Sequence, residues 1–414
     1  MSLIKPFSAL RPTKEFAEKV ASPPYDVLNS AEARHIAQDN PYTFLHVNKP
    51  EVDLEEDVDI YSESVYKKGA ENLQRFIDDG IMKRDDSACF YIYRQVMGTH
   101  EQYGLVALAS VDEYDANLIK KHEFTRQDKE DDRMNHIDHL NAQVGPVFLT
   151  YKSQPEMNTL VASISSRAAD VDFKSDDEIR HTVWTVCDPA EINKIETIFA
   201  GIDALYVADG HHRSAAASRI RAERKKNNPR HRGSESYNYF LNVIFPDKQM
   251  FIMDYNRVVK DLNGMDAATF LARIEDHFDI RRLGKNGFKP MEKHTFVMYM
   301  AGEWYLLMAQ DTLVNEKDPV ARLDVSILQE NVLGPILGIG DPRKDKRIDF
   351  VGGIRGLEEL KKRVDSGEMA VAFAFFPTAI EDLMDIADAG KVMPPKSTWF
   401  EPKLRSGLFV HVLD

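Results

Sequence analysis

The sequence predicts an α+β protein of mixed sheets with flanking helices. Three observations carry that expectation. Short β-branched and aromatic runs alternate with helical patterns, some neighbouring runs are close enough to pair antiparallel, and the texture changes near residue 261. Two regions are therefore expected, an N-terminal α+β region over 1–260 and a C-terminal α/β region over 261–414. The last part of the second, 341–414, is expected to fold back onto the first.

Taken in order, residues 31–39 have a helical pattern between two turn segments, Ser22-Pro23-Pro24-Tyr25-Asp26 and Asn40-Pro41-Tyr42. Residues 57–79 read as an amphipathic helix with Val58, Tyr61, Val65, Tyr66, Leu73, Phe76 and Ile77 on one face and Gly80 as its stop. A hairpin is expected from 90–96 and 102–111 with Gly98 in the turn, followed by a strand over 118–125 and a buried strand over 147–151. Residues 205–208 form a short buried strand, broken by Asp209-Gly210, before an Ala- and Arg-rich helix over 212–226 and a strand over 239–245. Beyond 261 the pattern predicts helices at 267–277, 325–333, 357–364 and 379–389. A hairpin is expected from 296–300 with 304–309, and strands at 348–351 and 371–376.

Composition excludes several classes. Lys plus Arg number 53 against 67 Asp plus Glu, a formal charge of −14, which argues against specific nucleic-acid binding and against attraction to anionic lipid. The longest apolar run, Ala370–Phe376, is far short of the roughly 20 residues a membrane helix needs. The opening residues Met1 to Pro6 lack the apolar core of a signal peptide. Cys89 and Cys187 are too few for a disulfide framework or a clustered thiolate metal site, so a reduced, cytoplasmic protein without a membrane partner is expected.

Chemistry concentrates at Val207-Ala208-Asp209-Gly210-His211-His212-Arg213-Ser214, between a buried strand and a helix start. Gly210 permits a tight, left-handed turn. The first-turn N–H groups and the helix dipole make a phosphate cradle, to which Arg213 adds a bidentate donor and His212 and Ser214 further contacts. Asp209 and His211 are acid–base candidates there. In His122-Glu123-Phe124-Thr125, strand alternation would send Glu123 and Thr125 to one side, Glu123 as general base and Thr125 as a donor beside it. Asp209 and Glu123 are the carboxylates expected to hold Mg²⁺. Arg133, His122, Tyr25 and Asp26 are candidate substrate contacts. Lys396 and Ser397, in Met393-Pro394-Pro395-Lys396-Ser397-Thr398, are candidates for a phosphate or carboxylate if their loop folds over the site.

Pro23-Pro24-Tyr25-Asp26-Val27, Asn40-Pro41, His122-Glu123-Phe124-Thr125, Ala208-Asp209-Gly210-His211-His212-Arg213 and Met393-Pro394-Pro395-Lys396-Ser397-Thr398 occur in this order in the bacterial and archaeal family called domain of unknown function 1015, which the chain resembles over essentially its whole length. More distantly, Gly210 and Arg213 are similar to the G-x-x-R element of the ParB and sulfiredoxin superfamily. Its members include nucleotide-binding partition proteins, sulfiredoxins and free-serine kinases. That resemblance implies a nucleotide-binding core of this type, with ATP or ADP as the nucleotide, CTP as a further candidate, and Mg²⁺ as its ion. Sulfiredoxins carry a reactive Cys within the element, where this chain has His211 and His212, so sulfinic-acid reduction is not expected. The reading this supports is a phosphotransferase acting on a small hydroxylated metabolite such as serine. The alternatives are a ParB-like nucleotide-binding regulatory protein with little catalysis, and a metal-dependent hydrolase using Asp209, His211 and Glu123.

Overall fold

A computed structural model describes residues 3–413 and separates the chain into two compact units. The first comprises the segment up to Met250 together with that from Pro402, and the second comprises Phe251–Glu401. In place of a single boundary at 260, the chain leaves the first unit after Met250 and re-enters it at Pro402.

Among the described residues, the first unit is organised by a nine-stranded mixed sheet. Its strands are β1 (Ile4–Lys5), β2 (Phe90–Met97), β3 (His100–Ser110), β4 (Ile119–Lys120), β5 (Val147–Tyr151), β6 (Val171–Lys174), β7 (Arg180–Val186), β8 (Leu205–Asp209) and β9 (Tyr239–Pro246). The spatial order is β4-β8-β5-β9-β3-β2-β7-β6, with β1 added against β3. β2 and β3 form the expected hairpin, Met97 opposite His100 across Gly98. β8 runs antiparallel to β5, and β5 parallel to β9. All five residues of β5 and all eight of β9 are buried, as central strands covered on both faces must be. Leu105, Ala107, Val147, Leu149, Leu205, Val207 and Ile244 share the resulting core with Ile195 and Phe199 of the helix Pro189–Ala200.

Two expectations are corrected here. The amphipathic helix spans Glu63–Asp78 and begins six residues later than its pattern suggested. Asp59 binds the Tyr61 amide through its carboxylate at 3.0 Å and the Ser62 amide through its carbonyl at 2.9 Å, and that local turn displaces the first helical turn. Val65, Tyr66, Leu73 and Phe76 are buried as expected, whereas Tyr61 and Ile77 are exposed. The strand expected over 118–125 is only Ile119–Lys120, paired with Leu205-Tyr206, and residues 121–126 are irregular.

Cys89 and Cys187, expected as separate thiols, are joined in a disulfide with Cα atoms 4.6 Å apart. Antiparallel pairing accounts for the meeting. Phe90 lies opposite Val186 in the β2–β7 ladder, so the residues just outside it are neighbours despite 98 positions of separation. Among the described residues, no helix is long and apolar enough to cross a membrane.

The second unit carries a six-stranded sheet of β10 (Tyr255–Val259), β11 (Phe278–Gly284), β12 (Thr295–Met300), β13 (Glu303–Ala309), β14 (Ile348–Gly352) and β15 (Val371–Phe375), in the order β11-β13-β12-β15-β10-β14. All its pairings are antiparallel, and β12–β13 is the expected hairpin. Val258, Val297, Tyr299, Val351 and Ala372 pack against Leu360 of the helix Gly356–Asp365.

Asp324 in this unit is a largely enclosed carboxyl that accepts the His294 amide at 2.8 Å. Burial pushes its pKa up to about 7, against the opposing pull of that hydrogen bond and of Lys293. The native state therefore holds more protons than the unfolded chain between roughly pH 4 and pH 7, and stability falls as the pH rises through that window. Asp324→Asn keeps an acceptor without the charge. Relative to the unaltered protein, it is expected to be about 2–3 kcal/mol more stable at pH 8 than at pH 5. Melting curves at the two values check this, and an equal shift at both would show that Asp324 does not titrate in this range.

Candidate active site

The site is built where β8 ends. Tyr206 and Val207 pair with Thr150 and Leu149, but Asp209 pairs with Phe148, so Ala208 is the extra residue of a bulge. A bulge interrupts strict side-chain alternation and re-aims the residue that follows it. Gly210 then takes φ 98° and ψ 30°, a left-handed conformation costly for any residue with a Cβ. The helix His211–Asn227 starts at once and has no side-chain N-cap. Its first-turn N–H groups lie beyond the reach of intrahelical acceptors.

Asp209 is held by two cations. Lys403 Nζ lies 3.1 Å from its Oδ2, and Arg213 Nη2 lies 3.9 Å from the same oxygen. Burial alone would raise the Asp209 carboxyl, but Lys403 and Arg213 together outweigh it and hold the group well below the usual carboxylate range. Arg213 Nη2 also lies 3.6 Å from Asp26, and Nη1 donates to the Pro146 carbonyl. Arg213 Nε is buried without a hydrogen-bond partner.

A second chain of contacts continues from Tyr25. The Arg133 guanidinium sits 3.9 Å from the centre of the Tyr25 ring and 2.9 Å from Asp132, which accepts the Tyr66 hydroxyl at 3.0 Å. This contact and the Asp132 pair fix the Arg133 side chain from two sides. Enclosure of the Tyr25 hydroxyl pushes its pKa up to about 12, Arg133 opposing, so it is a donor at neutral pH. His136, on the same helix Gln127–Leu140, is buried with Nε2 2.8 Å from the Val47 carbonyl. Burial takes its pKa down to about 3, so it is a neutral strut.

Two imidazoles meet beside Asp209. His122 and His211 are both buried, with ring centres 4.4 Å apart and planes at 88°. Burial lowers both pKa values, that of His122 to about 4 despite a hydrogen bond to the Val207 backbone, and that of His211 well below its ordinary value. His122 Nδ1 and His211 Nε2 are buried without hydrogen-bond partners. Glu123 is half-exposed and brings Oε2 to 3.6 Å from His211 Nδ1. His212 accepts the Arg126 amide on Nε2 at 3.2 Å, which places the proton of its neutral ring on Nδ1.

The first unit thus gathers Tyr25, Asp26, His122, Glu123, Arg133, Asp209, Gly210, His211, His212 and Arg213 into contacting groups. Other expectations are corrected. Without a strand at 122–125, Thr125 does not stand beside Glu123 as a ladder neighbour, and its hydroxyl donates to Glu130. The Ser214 hydroxyl turns back onto the His211 carbonyl at 3.0 Å. Asp209, expected with Glu123 as a metal ligand, is engaged by Lys403 and Arg213 instead. Lys396 and Ser397 belong to the second unit, where Lys396 Nζ lies 5.4 Å from the Tyr255 ring centre and Ser397 donates to the Pro394 carbonyl at 2.7 Å. Lys403, Asp132 and Tyr66 carry no local signal. Lys403 lies 194 positions from its partner, and only the return of the chain at Pro402 brings it there.

Fold and site define a mixed α/β protein with an ionisable cluster at a bulged strand–glycine–helix junction. The chain belongs to the family described as "Protein of unknown function (DUF1015)", whose model matches residues 4–326. Among proteins of curated function, none matches it. Similar solved structures include a conserved hypothetical protein from Pyrococcus furiosus, at 15% identity over 72% of this chain and 93% of that one, with a TM-score of 0.35. A free serine kinase in complex with AMP has 12% identity over 71% and 86%, with a TM-score of 0.33. SbnI with a C-terminal truncation, from Staphylococcus aureus, has 10% identity over 72% and 82%, with a TM-score of 0.36. Likeness at this level assigns no activity.

The Asp209–Lys403 pair is partly enclosed, so its loss costs more than that of a surface ion pair and less than that of a fully buried one. Lys403→Met is expected to destabilise by about 1–2 kcal/mol. Most of that loss should disappear in an Asp209→Asn background, because no uncompensated carboxylate then remains. Urea unfolding of the four proteins of this double-mutant cycle measures the coupling. Additive losses would mean that the two side chains do not interact energetically.

Proposed function

We propose that the junction is a nucleotide phosphate cradle, in the manner of the ParB and sulfiredoxin superfamily, and that the protein is a phosphotransferase acting on a small hydroxylated metabolite. The observation that carries this is Arg213: a buried guanidinium with an unpartnered Nε, next to an uncapped helix start entered through a left-handed glycine. An anion at that place would meet first-turn N–H groups, the positive end of the helix dipole and a guanidinium together.

In this reading ATP or ADP supplies the phosphoryl group. The acceptor hydroxyl oxygen attacks the terminal phosphorus, the bond to the leaving nucleotide oxygen breaks, and the hydroxyl proton passes to a carboxylate. Glu123 suits that task because its carboxylate is half-exposed and lies beside His211, away from the two cations that hold Asp209. Asp209 does not, since a carboxyl held far below neutrality by two cations is a poor proton acceptor. Its role is to keep Lys403 and Arg213 in place. Arg133, fixed over Tyr25, offers a charged contact for the acceptor. Serine is the first acceptor to test, on the similarity of Gly210 and Arg213 to the motif of free-serine kinases. The transfer itself needs chiefly positioning and neutralisation of oxygen charge.

Millimolar ATP, ADP, CTP and GTP should include at least one nucleotide that raises the melting temperature, because a ligand of the native state stabilises it. A flat response to all four removes the nucleotide reading. Arg213→Ala is expected to weaken nucleotide binding about 10- to 100-fold. Glu123→Gln should retain most of the affinity and lose turnover by about 10²–10⁴-fold. Near-parental turnover of Glu123→Gln with labelled nucleotide and serine would take the proton-accepting role from Glu123.

A further inference from the structure

We infer that His122, Glu123 and His211 form a binding site for a divalent transition-metal ion. One donor atom from each side chain lies within 4.8 Å of the others, close enough for a single ion to draw the three together. Both imidazoles are buried, and each leaves a buried ring nitrogen, His122 Nδ1 and His211 Nε2, without a hydrogen bond. Two such atoms on touching rings are costly in a folded protein, and a Lewis acid that takes up an imidazole lone pair removes that cost.

The donor set decides the class of ion. Two imidazoles and one carboxylate suit Zn²⁺, Mn²⁺, Fe²⁺ or Co²⁺, whereas Mg²⁺ prefers an all-oxygen shell rich in water. Three protein ligands leave a position for water or a substrate oxygen, as catalytic rather than structural sites do. The hydrogen bond of His122 to the Val207 backbone is the kind of outer contact that orients a ligating ring. Charge points the same way. Among the residues of the junction, Arg133, Arg213 and Lys403 pair with Asp132, Asp26 and Asp209, and Glu123 beside His211 adds a fourth carboxylate to the three cations. An anionic ligand needs further positive charge there. The site does not depend on nucleotide binding, because ion binding is measured without nucleotide.

The full chain, freed of metal with chelator, is dialysed against Zn²⁺, Co²⁺, Mn²⁺ or Mg²⁺ and assayed by elemental analysis. One Zn²⁺ or Co²⁺ per chain is expected, undisplaced by equimolar Mg²⁺. His211→Ala and Glu123→Ala should each weaken binding by at least about 100-fold, and His139→Ala should leave it unchanged. Because His211 is buried, its variant is first checked for a cooperative melt. The zinc-edge X-ray absorption spectrum of the unaltered protein needs no variant and should show outer-shell scattering from two imidazoles. An all-oxygen shell, displacement by equimolar Mg²⁺, or full occupancy in both the His211 and Glu123 variants would overturn the assignment. Metal binding without any nucleotide response would leave this site standing while removing the cradle.

Discussion

The junction rests on one electrostatic constraint, a partly enclosed carboxylate at the end of a buried strand. Asp209 follows four buried residues of β8 and loses much of its hydration. A charge in such a position persists only if cations are brought to it. Arg213 comes from the first turn of the following helix and Lys403 from the far end of the sequence. Each then imposes its own demands. Arg213 needs the Pro146 carbonyl before β5 and the Asp26 carboxylate of the Pro-Pro-Tyr-Asp turn. One partly enclosed charge thereby brings together the strand–helix junction, the Asp26 turn, Pro146 and the Lys403 segment of the first unit.

The neighbouring imidazoles show the opposite solution to burial. His122 and His211 meet low polarity by remaining neutral, not by acquiring a counter-charge. The junction thus holds a permanently charged half around Asp209 and a neutral, lone-pair-bearing half around the histidines. That division separates groups suited to holding charge from groups suited to donating electron pairs. Asp26 and Asp132 extend the charged half outwards, through Arg213 and Arg133 respectively.

Legibility from sequence followed the range of the interactions involved. The turn at Asp209-Gly210 and the helix after it were readable because a buried strand, a glycine and an Ala-rich run occupy consecutive positions. The β2–β3 and β12–β13 hairpins were readable for the same reason. The irregular path of 121–126 was not, because no Gly, Pro or other local breaker in Lys121-His122-Glu123-Phe124-Thr125-Arg126 marks the end of the strand at Lys120, and the contact of His122 with His211 is made with a residue 89 positions away. The cysteine pairing and Lys403 were equally hidden, since each contact spans about a hundred positions or more and leaves no periodicity to read. Side-chain direction was the other blind spot. Ser214 and Thr125 have the right chemistry at the right positions, yet their hydroxyls are taken up by a carbonyl and a carboxylate within five residues.

The return of the chain at Pro402 has a consequence for biosynthesis. β8, its turn and the following helix leave the ribosome long before Lys403 does, with the whole second unit translated in between. Val410 and His411, which bridge Leu10 and pair with Gln143, arrive later still. A nascent first unit therefore carries the Asp209 charge with only Arg213 to answer it, and its closing strand contacts are missing. Domains usually fold in the order of their synthesis. Here the earlier unit is finished last, so a chain released prematurely anywhere within the second unit presents a first unit without its Lys403 cation and its C-terminal pairings to the proteases and chaperones that survey new proteins.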